Sequence, residues 1–263
     1  MIMRKNCFLL LLGLLAIVSC TSYKEVPYLQ NTSELDTTKV MELYDARIQP
    51  KDLLTITVNS EDAEAAIPFN LTIAVPYNTS TRYLTSQPTL QSYLVDNDGY
   101  IEFPTLGRLQ VGGMTKTEVE QMIKDKLQPH FTNVPIVNVR MVNYKISVLG
   151  EVLRPNTYTI SNEKVNIFEA LALAGDLTIY GKRDGVKLIR EHADGTKEIV
   201  PLNLNDANII YSPYYYLRQN DVLYVQPNKA KAQNSDVGSM TSLFFSATSI
   251  MISFVNLLLN ILR

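Results

Sequence analysis

Side chains able to make or break bonds are sparse in this sequence, and their spacing argues against enzymatic chemistry. Gly175 to Lys182 has the outline of a phosphate-cradling loop, but five residues rather than four separate Gly175 from Gly181. Arg183 also stands where a hydroxyl would be needed to hold Mg2+. Helix termination is the simpler use of Gly175. His130 follows Pro129, and His192 lies near the turn Asp194-Gly195; neither sits beside a nucleophile, and no Gly-x-Ser-x-Gly elbow exists. The acidic pairs Asp96/Asp98 and Glu61/Asp62 fall in turn-forming contexts where local hydrogen bonding explains them. Two Cys and two His are too few for a metal centre, so neither a metal nor a cofactor is expected. Tyr211, Tyr214, Tyr215 and Tyr216 form the one aromatic cluster. Their faces and hydroxyls suit sugar rings, and they suit a subunit interface or core packing as well.

The chain has 263 residues, 46% hydrophobic and 19% charged, with a formal net charge of −2. That mix is globular, and it offers no basic field to hold a nucleic-acid backbone. The apolar residues are concentrated at both ends.

At the N-terminus, Arg4 and Lys5 precede an apolar run from Phe8 to Val18. The run is too short to span a bilayer and has the flanks of a secretory signal. It ends in Ile17-Val18-Ser19-Cys20, which resembles the lipobox of bacterial lipoproteins, whose Cys becomes the acylated first residue. The expectation is a signal over 1–19, acyl chains such as palmitate on Cys20, and a polar tether over 20–43. A single lipid chain is a weak hold, so a second membrane contact is expected.

At the C-terminus no charged residue occurs from Val237 to Leu262, a length of about 39 Å as a helix at ~1.5 Å per residue. Ser242, Ser246, Ser249, Ser253, Asn256 and Asn260 recur at alternating steps of four and three. On a helix they fall within an arc of roughly 80°. The opposite side carries Phe244, Ala247, Met251, Phe254, Val255, Leu258 and Leu262. A lone helix would set the polar stripe in lipid at a cost. Several copies could close a barrel around a wet lumen, or the stripe could form a dry helix–helix seam. The two Asn side chains favour the lumen, and the spacing suits a left-handed supercoil in either case.

Between the ends the sequence predicts two small sheet-plus-helix units, an α+β body. In the first, residues 53–58 alternate as a strand, and Tyr93 to Phe103 reads as a hairpin around Asp96-Asn97-Asp98-Gly99. Thr115 and Glu118 form a capping box for a helix carrying Val119, Met122, Ile123 and Leu127, and a strand follows over 136–142. In the second, Lys145 to Leu149 is a strand, Asn166 and Glu169 cap a short helix stopped by Gly175, and a hairpin turns at Asp194-Gly195. Val222 to Val225 is the last strand, and 228–236 is a polar linker to the terminal helix, 237–263.

These segments assemble into a resemblance. Arg47 to Val58, with Gln49-Pro50-Lys51-Asp52-Leu53, resembles the opening of the polysaccharide export domain. Asp96, Gly99, Pro104 and Gly107 resemble its central motif. Gly150, Glu151, Pro155, Tyr158 and Gly175, continuing through Tyr216-Leu217 to Pro227, are similar to the soluble-ligand-binding β-grasp (SLBB) domain. Two departures stand out: Asn156 where Gly is usual, and Asp176 where a second Gly is common, a change expected to alter a loop contact.

The resemblance is to Wza-type outer-membrane polysaccharide export lipoproteins, with an export domain at 44–143 and an SLBB domain at 144–227. It implies a homo-oligomeric ring, an octamer by analogy, with no catalysis. Its rings would enclose a periplasmic cavity, and its terminal helices would form a porin-like α-helical barrel lined by the polar stripe. It further implies a polysaccharide cargo, an inner-membrane co-polymerase/tyrosine-kinase partner, and acyl chains in the outer membrane. The alternative is a membrane-tethered glycan- or partner-binding lipoprotein without a channel.

Overall fold

The computed structural model describes residues 26–36, 38–39, 43–73, 89–236 and 240–261. Cys20 and the signal lie outside them. The first unit contains strands β1 (Leu53–Asn59), β2 (Thr72–Ile73), β3 (Thr89–Leu90), β4 (Tyr93–Leu94), β5 (Tyr100–Phe103), β6 (Gly107–Gln110) and β7 (Ile136–Met141). Its helices are the single turn α1 (Ala63–Ala66) and the longer α2 (Lys116–Leu127). An antiparallel sheet in the order β4-β1-β7 forms because β1 and β7 alternate strictly, burying Leu54, Ile56 and Val58 beside Val137, Val139 and Met141. Helix α2 covers that face with Val119, Ile123 and Leu127, spaced one turn apart and fully buried. Its predicted capping box is present, Thr115 accepting from Glu118 N–H and Glu118 from Thr115 N–H.

One expected pairing differs. The turn at Asp96–Gly99 exists, but β4 and β5 do not form a hairpin with each other. β4 pairs with β1, while β5 pairs with β6 across Pro104–Leu106. The second reversal is tighter, because Thr105 and Gly107 both take positive φ, at 66° and 71°. It therefore captures β5 locally.

The second unit has β8 (Lys145–Gly150), β9 (Asn156–Thr159), helix α3 (Ile167–Leu173), β10 (Gly181–Glu191), β11 (Lys197–Leu202) and β12 (Val222–Pro227). Its sheet runs β11-β10-β12-β8-β9, antiparallel except for β8 beside β12. Asn166 and Glu169 make the second capping box, and Gly175 at φ 77° ends the helix. Within the polar linker, residues 229–236 form helix α4 (Lys229–Asp236). Asn228 caps it by accepting from Lys231 N–H, and Lys, Ala and Gln are strong helix formers. Helix α5 (Met240–Ile261) follows.

The two units share one apolar core, running from Ile48 and Leu54 through Tyr144 to Leu223 and Val225. Polar ties cross between them. Glu163 of the second unit is buried, accepting from Met141 N–H at 2.9 Å and pairing with Lys116 at 3.1 Å. Gln219 donates to Asn143 O and accepts from Lys145 N–H.

The tether is not free along its length. Leu29 and Gln30 donate backbone hydrogen bonds to Leu204 O and Asn205 O. Asn31 donates to Asp206 and accepts from Ala207 N–H. Residues 28–36 are thus a strap laid along the second unit.

Asp52 sits fully buried at the foot of β1, between the units. Its Oδ2 accepts from Gln49 N–H at 2.8 Å, but Oδ1 finds no donor. Burial pushes its pKa from 3.8 up to about 6, the Gln49 N–H only partly opposing the shift. The folded protein therefore holds a proton more tightly than the unfolded chain, and Asp52 weakens the fold as pH rises from 3.8 to about 6. Asp52→Asn keeps the Gln49 bond without the charge. It should stabilise the protein at pH above ~7 by about 3 kcal/mol, a gain that shrinks toward zero as pH falls to ~4. Urea unfolding across that range checks this; a pH-independent difference would assign the titration to another group.

Candidate functional site

Three places collect the residues singled out in the sequence. In the export-domain motif, Asp96 closes its own turn, accepting from Tyr100 N–H at 2.8 Å and Asp98 N–H at 2.9 Å. The Tyr100 amide, helped by Arg108 and Asp98 N–H, holds the Asp96 carboxyl below the usual carboxylate range. Arg108 reaches both Asp96 and Asp98, its guanidinium lying 4.1 Å from the centre of the Tyr100 ring. Gly99 adopts φ 84° with its Cα face against Gly112, where a side chain on Gly112 would collide. Asp96, Gly99 and Gly107 thus shape backbone, with Pro104 in the second reversal; they present no reactive constellation.

At the boundary between the units lies a cleft of about 370 Å3, lined by Tyr44, Arg47, Gln49, Tyr144, Tyr216 and Arg218 among others. Tyr44 stacks on Tyr216 at 4.8 Å, and Tyr144 donates to Leu217 O at 2.6 Å. Burial, with the nearby Tyr44 hydroxyl, pushes the Tyr144 phenol well above its ordinary value, so it stays neutral. The tyrosine cluster is engaged within the protomer. Tyr211 donates to Asp36 O of the strap, Tyr214 donates to Glu198, and Tyr215 packs edge-on against Tyr216. Tyr216 also meets Lys164, 4.8 Å from its ring centre. These contacts engage the Tyr211 and Tyr214 hydroxyls and the Tyr215 and Tyr216 rings within the chain, and all four side chains remain partly exposed.

The SLBB-type residues gather at the far end of the second sheet. Gly150 has φ 91°, and a side chain there would run into Val225 O, because β8 leaves the sheet where β12 passes. Glu151 accepts from Thr178 Oγ1 and pairs with Lys231. Tyr158 donates to Arg154 O, holding the turn that contains Pro155. Asp176, also left-handed at φ 74°, accepts from Tyr28 OH of the strap at 2.5 Å. The altered loop contact expected at Asp176 is therefore a bond to the N-terminal strap.

Sequence reasoning did not single out Arg190 and Asp221. They form a fully buried bidentate pair at 3.0 and 2.6 Å, joining β10 to the loop before β12. Charges inside a strand pattern were the available signal.

On α5 the described side chains are exposed all around. Ser249 donates to Phe245 O and Ser253 to Ser249 O, each at 2.9 Å, which satisfies their hydroxyls within the helix. Ser246 lies on the same face; the side chains of Ser242, Asn256 and Asn260 are outside the described set. Among the described residues, no helix is long and apolar enough to cross a membrane, and no cluster of His, Cys, Asp or Glu could hold a metal.

Comparison with known proteins bears on the first unit. Residues 41–142 match the family described as polysaccharide biosynthesis/export protein. That segment is similar to the domain of this family. Its limits agree with the β1–β7 unit, and the resemblance read from Arg47 to Gly107 is borne out. Two relatives carry the name EPS I polysaccharide export outer membrane protein EpsA. The one from Ralstonia nicotianae is 30% identical over 146 residues, covering 53% of this chain and 36% of that protein. The one from Ralstonia solanacearum is 27% identical over 149 residues, covering 54% and 38%. The matched stretch spans little more than a third of either relative's length.

The glycines of the export and SLBB-type motifs should respond differently to a methyl group. Gly107→Ala meets open space and pays only the left-handed backbone, roughly 1–2 kcal/mol. Gly150→Ala adds collision with Val225 O and should cost more than about 3 kcal/mol. Denaturation midpoints of the two variants check the order; equal losses would remove the close approach of β8 to β12 as the reason for Gly150.

Proposed function

We propose that this chain is a transport subunit, without catalytic activity, of an outer-membrane translocon for capsular or extracellular polysaccharide. The observation that carries the reading is the export domain at 41–142, supported by two relatives named as polysaccharide export outer membrane proteins. In this reading Cys20 bears the acyl chains, and the export and SLBB domains stack as periplasmic rings. The α5 helices of neighbouring copies close a barrel through the outer membrane. Ser242, Ser246, Ser249, Ser253, Asn256 and Asn260 line it, offering a sliding glycan exchangeable hydrogen bonds and no charge to trap it. The ring is a homo-oligomer, an octamer by analogy, fed by an inner-membrane co-polymerase/tyrosine kinase.

One observation favours a second reading. Ser249 and Ser253 satisfy their hydroxyls on their own helix, so this part of the stripe does not require water. It could serve as a small-residue packing seam for a tethered lipoprotein that holds glycan or a partner without a channel.

Ser249→Arg separates the two. A charge in the lumen should abolish or strongly reduce surface polysaccharide, while Ser249→Thr should leave it near normal. Replacing the stripe with Leu and Ala should abolish export through a wet lumen and spare a packing anchor. Unchanged surface polysaccharide in the Arg variant, at normal protein level, would remove the lumen from this helix.

A further inference from the structure

Two short stretches of backbone wall the cleft between the units, and each is pinned from behind. In the second unit, Tyr216 bridges to Asn166 and Leu217 N–H donates to Val165 O, which fixes this stretch beside the start of α3. Leu217 is fully buried, and its neighbours Tyr216 and Arg218 both line the cleft. Leu217 O accepts from the Tyr44 and Tyr144 hydroxyls, at 3.2 and 2.6 Å. Arg218 N–H donates to Asp221 Oδ2 at 2.7 Å, so the buried Arg190–Asp221 pair also holds the Arg218 backbone. In the first unit, Arg47 bridges to Thr115 at the start of α2. Buried Ala46 and Ile48 alternate with it, which leaves Asp45 and Arg47 exposed.

The cations of this wall have spare donors. Among the described residues, the exposed Arg218 guanidinium makes no hydrogen bond or ion pair, although its backbone is fixed. Arg47 uses Nη1 alone, on Gly113 O at 2.8 Å, with Glu118 at 3.8 Å. Glu118 is already engaged by Thr115 N–H. Lys164 adds a third cation, 4.8 Å from the centre of the Tyr216 ring. The acid of the lining is Asp45. The chain as a whole carries a formal charge of −2, so this local excess runs against its overall balance.

We propose that this cleft binds an acidic sugar, a uronate-type residue, with Arg218 and Arg47 on its carboxylate and the Tyr44–Tyr216 stack beside its ring. A volume of about 370 Å3 is that of a small-molecule site. A guanidinium is a planar fork that meets a carboxylate through two parallel hydrogen bonds, which a neutral sugar cannot offer. Tyrosine faces suit the C–H side of a sugar ring, and Gln49 and Ser212 of the lining can bond to its hydroxyls. Because the wall is fixed by buried partners, little ordering is required when the ligand enters. The polar stripe of α5 is neutral and cannot tell an acidic sugar from a neutral one. Discrimination by charge would therefore fall to the cleft. This inference rests on the proposed export role for the identity of the cargo, and it names the chemical class of sugar recognised.

Calorimetric titration of the full-length protein in mild detergent tests this with two matched probes, tetragalacturonate and its methyl ester, which differ in carboxyl charge. The acid should bind at least about tenfold more tightly than the ester, the share of a charge-assisted hydrogen bond. Arg218→Gln should remove most of that preference while keeping the backbone bond to Asp221, and thermal unfolding checks that the fold survives. Arg218→Lys should restore only part of it, because a point charge lacks the fork. Lys126→Gln, the same loss of charge at the far end of α2, should leave the preference unchanged. Equal affinity for acid and ester, binding of neither, or an equal loss in Lys126→Gln overturns the site. Displacement of tetragalacturonate by an equal concentration of inorganic phosphate overturns sugar recognition in favour of a bare anion site. Deleting the gene keeps the cleft and the export role apart. Unchanged surface polysaccharide in the deletion strain removes the export role whatever the calorimetry shows, while lost polysaccharide with no binding of the acid removes the cleft alone.

Discussion

Two parallel strands cannot be joined by a tight turn, so the chain between β8 and β12 must travel out and back before the pair can close. Here that excursion holds β9, α3, β10 and β11, which is nearly the whole second unit. The pairing sets the rest of the layout. It brings the buried Arg190–Asp221 pair to the start of β12 and forces Gly150 against Val225 O at the end of β8. It also sends both strands away from the first unit, so the loops after them share one end. A buried ion pair is a weak source of net stability by itself. Its position just before β12, with Asp221 also accepting from Arg218 N–H, makes it a register device for the strand that closes the sheet.

The boundary between units is built on the opposite principle. No strand crosses it; amides and carboxylates do. Gln219, Asn143 and Glu163 are each buried or half-buried and each bonded to backbone of another segment, while Asp52 is buried beside them and bonded to Gln49 N–H of its own segment. The apolar core is continuous beneath them. The two units are therefore joined both by a shared apolar core and by directional hydrogen bonds.

Much of this was legible in the residues. Both capping boxes, the Gly175 stop, the Asp194-Gly195 hairpin and the alternation of β1 and β7 follow from local chemistry, which acts over three or four positions. Failures came where partners are distant. Tyr93-Leu94 looked like one arm of a hairpin because its turn is sound, yet β1, some forty positions earlier, competes successfully for it. Residues 26–36 looked unpatterned because a strap satisfies its backbone against another segment and needs no periodicity of its own. Asp176 was visible as an oddity, but its partner Tyr28 lies 148 positions away. The tyrosine cluster was ambiguous because the same rings serve sugar or packing, and only their neighbours decide.

The strap has a further consequence, for the order in which the molecule can be completed. Residues 29–31 lie some 175 positions before residues 204–207, to which they bond. Their contacts thus span most of the polypeptide, and closing such a loop carries an entropic cost before any bond compensates it. The second unit cannot acquire its full set of contacts until nearly the entire chain has been delivered. During that interval residues 29–31 are unclasped, their backbone groups bonded to water rather than to the second unit.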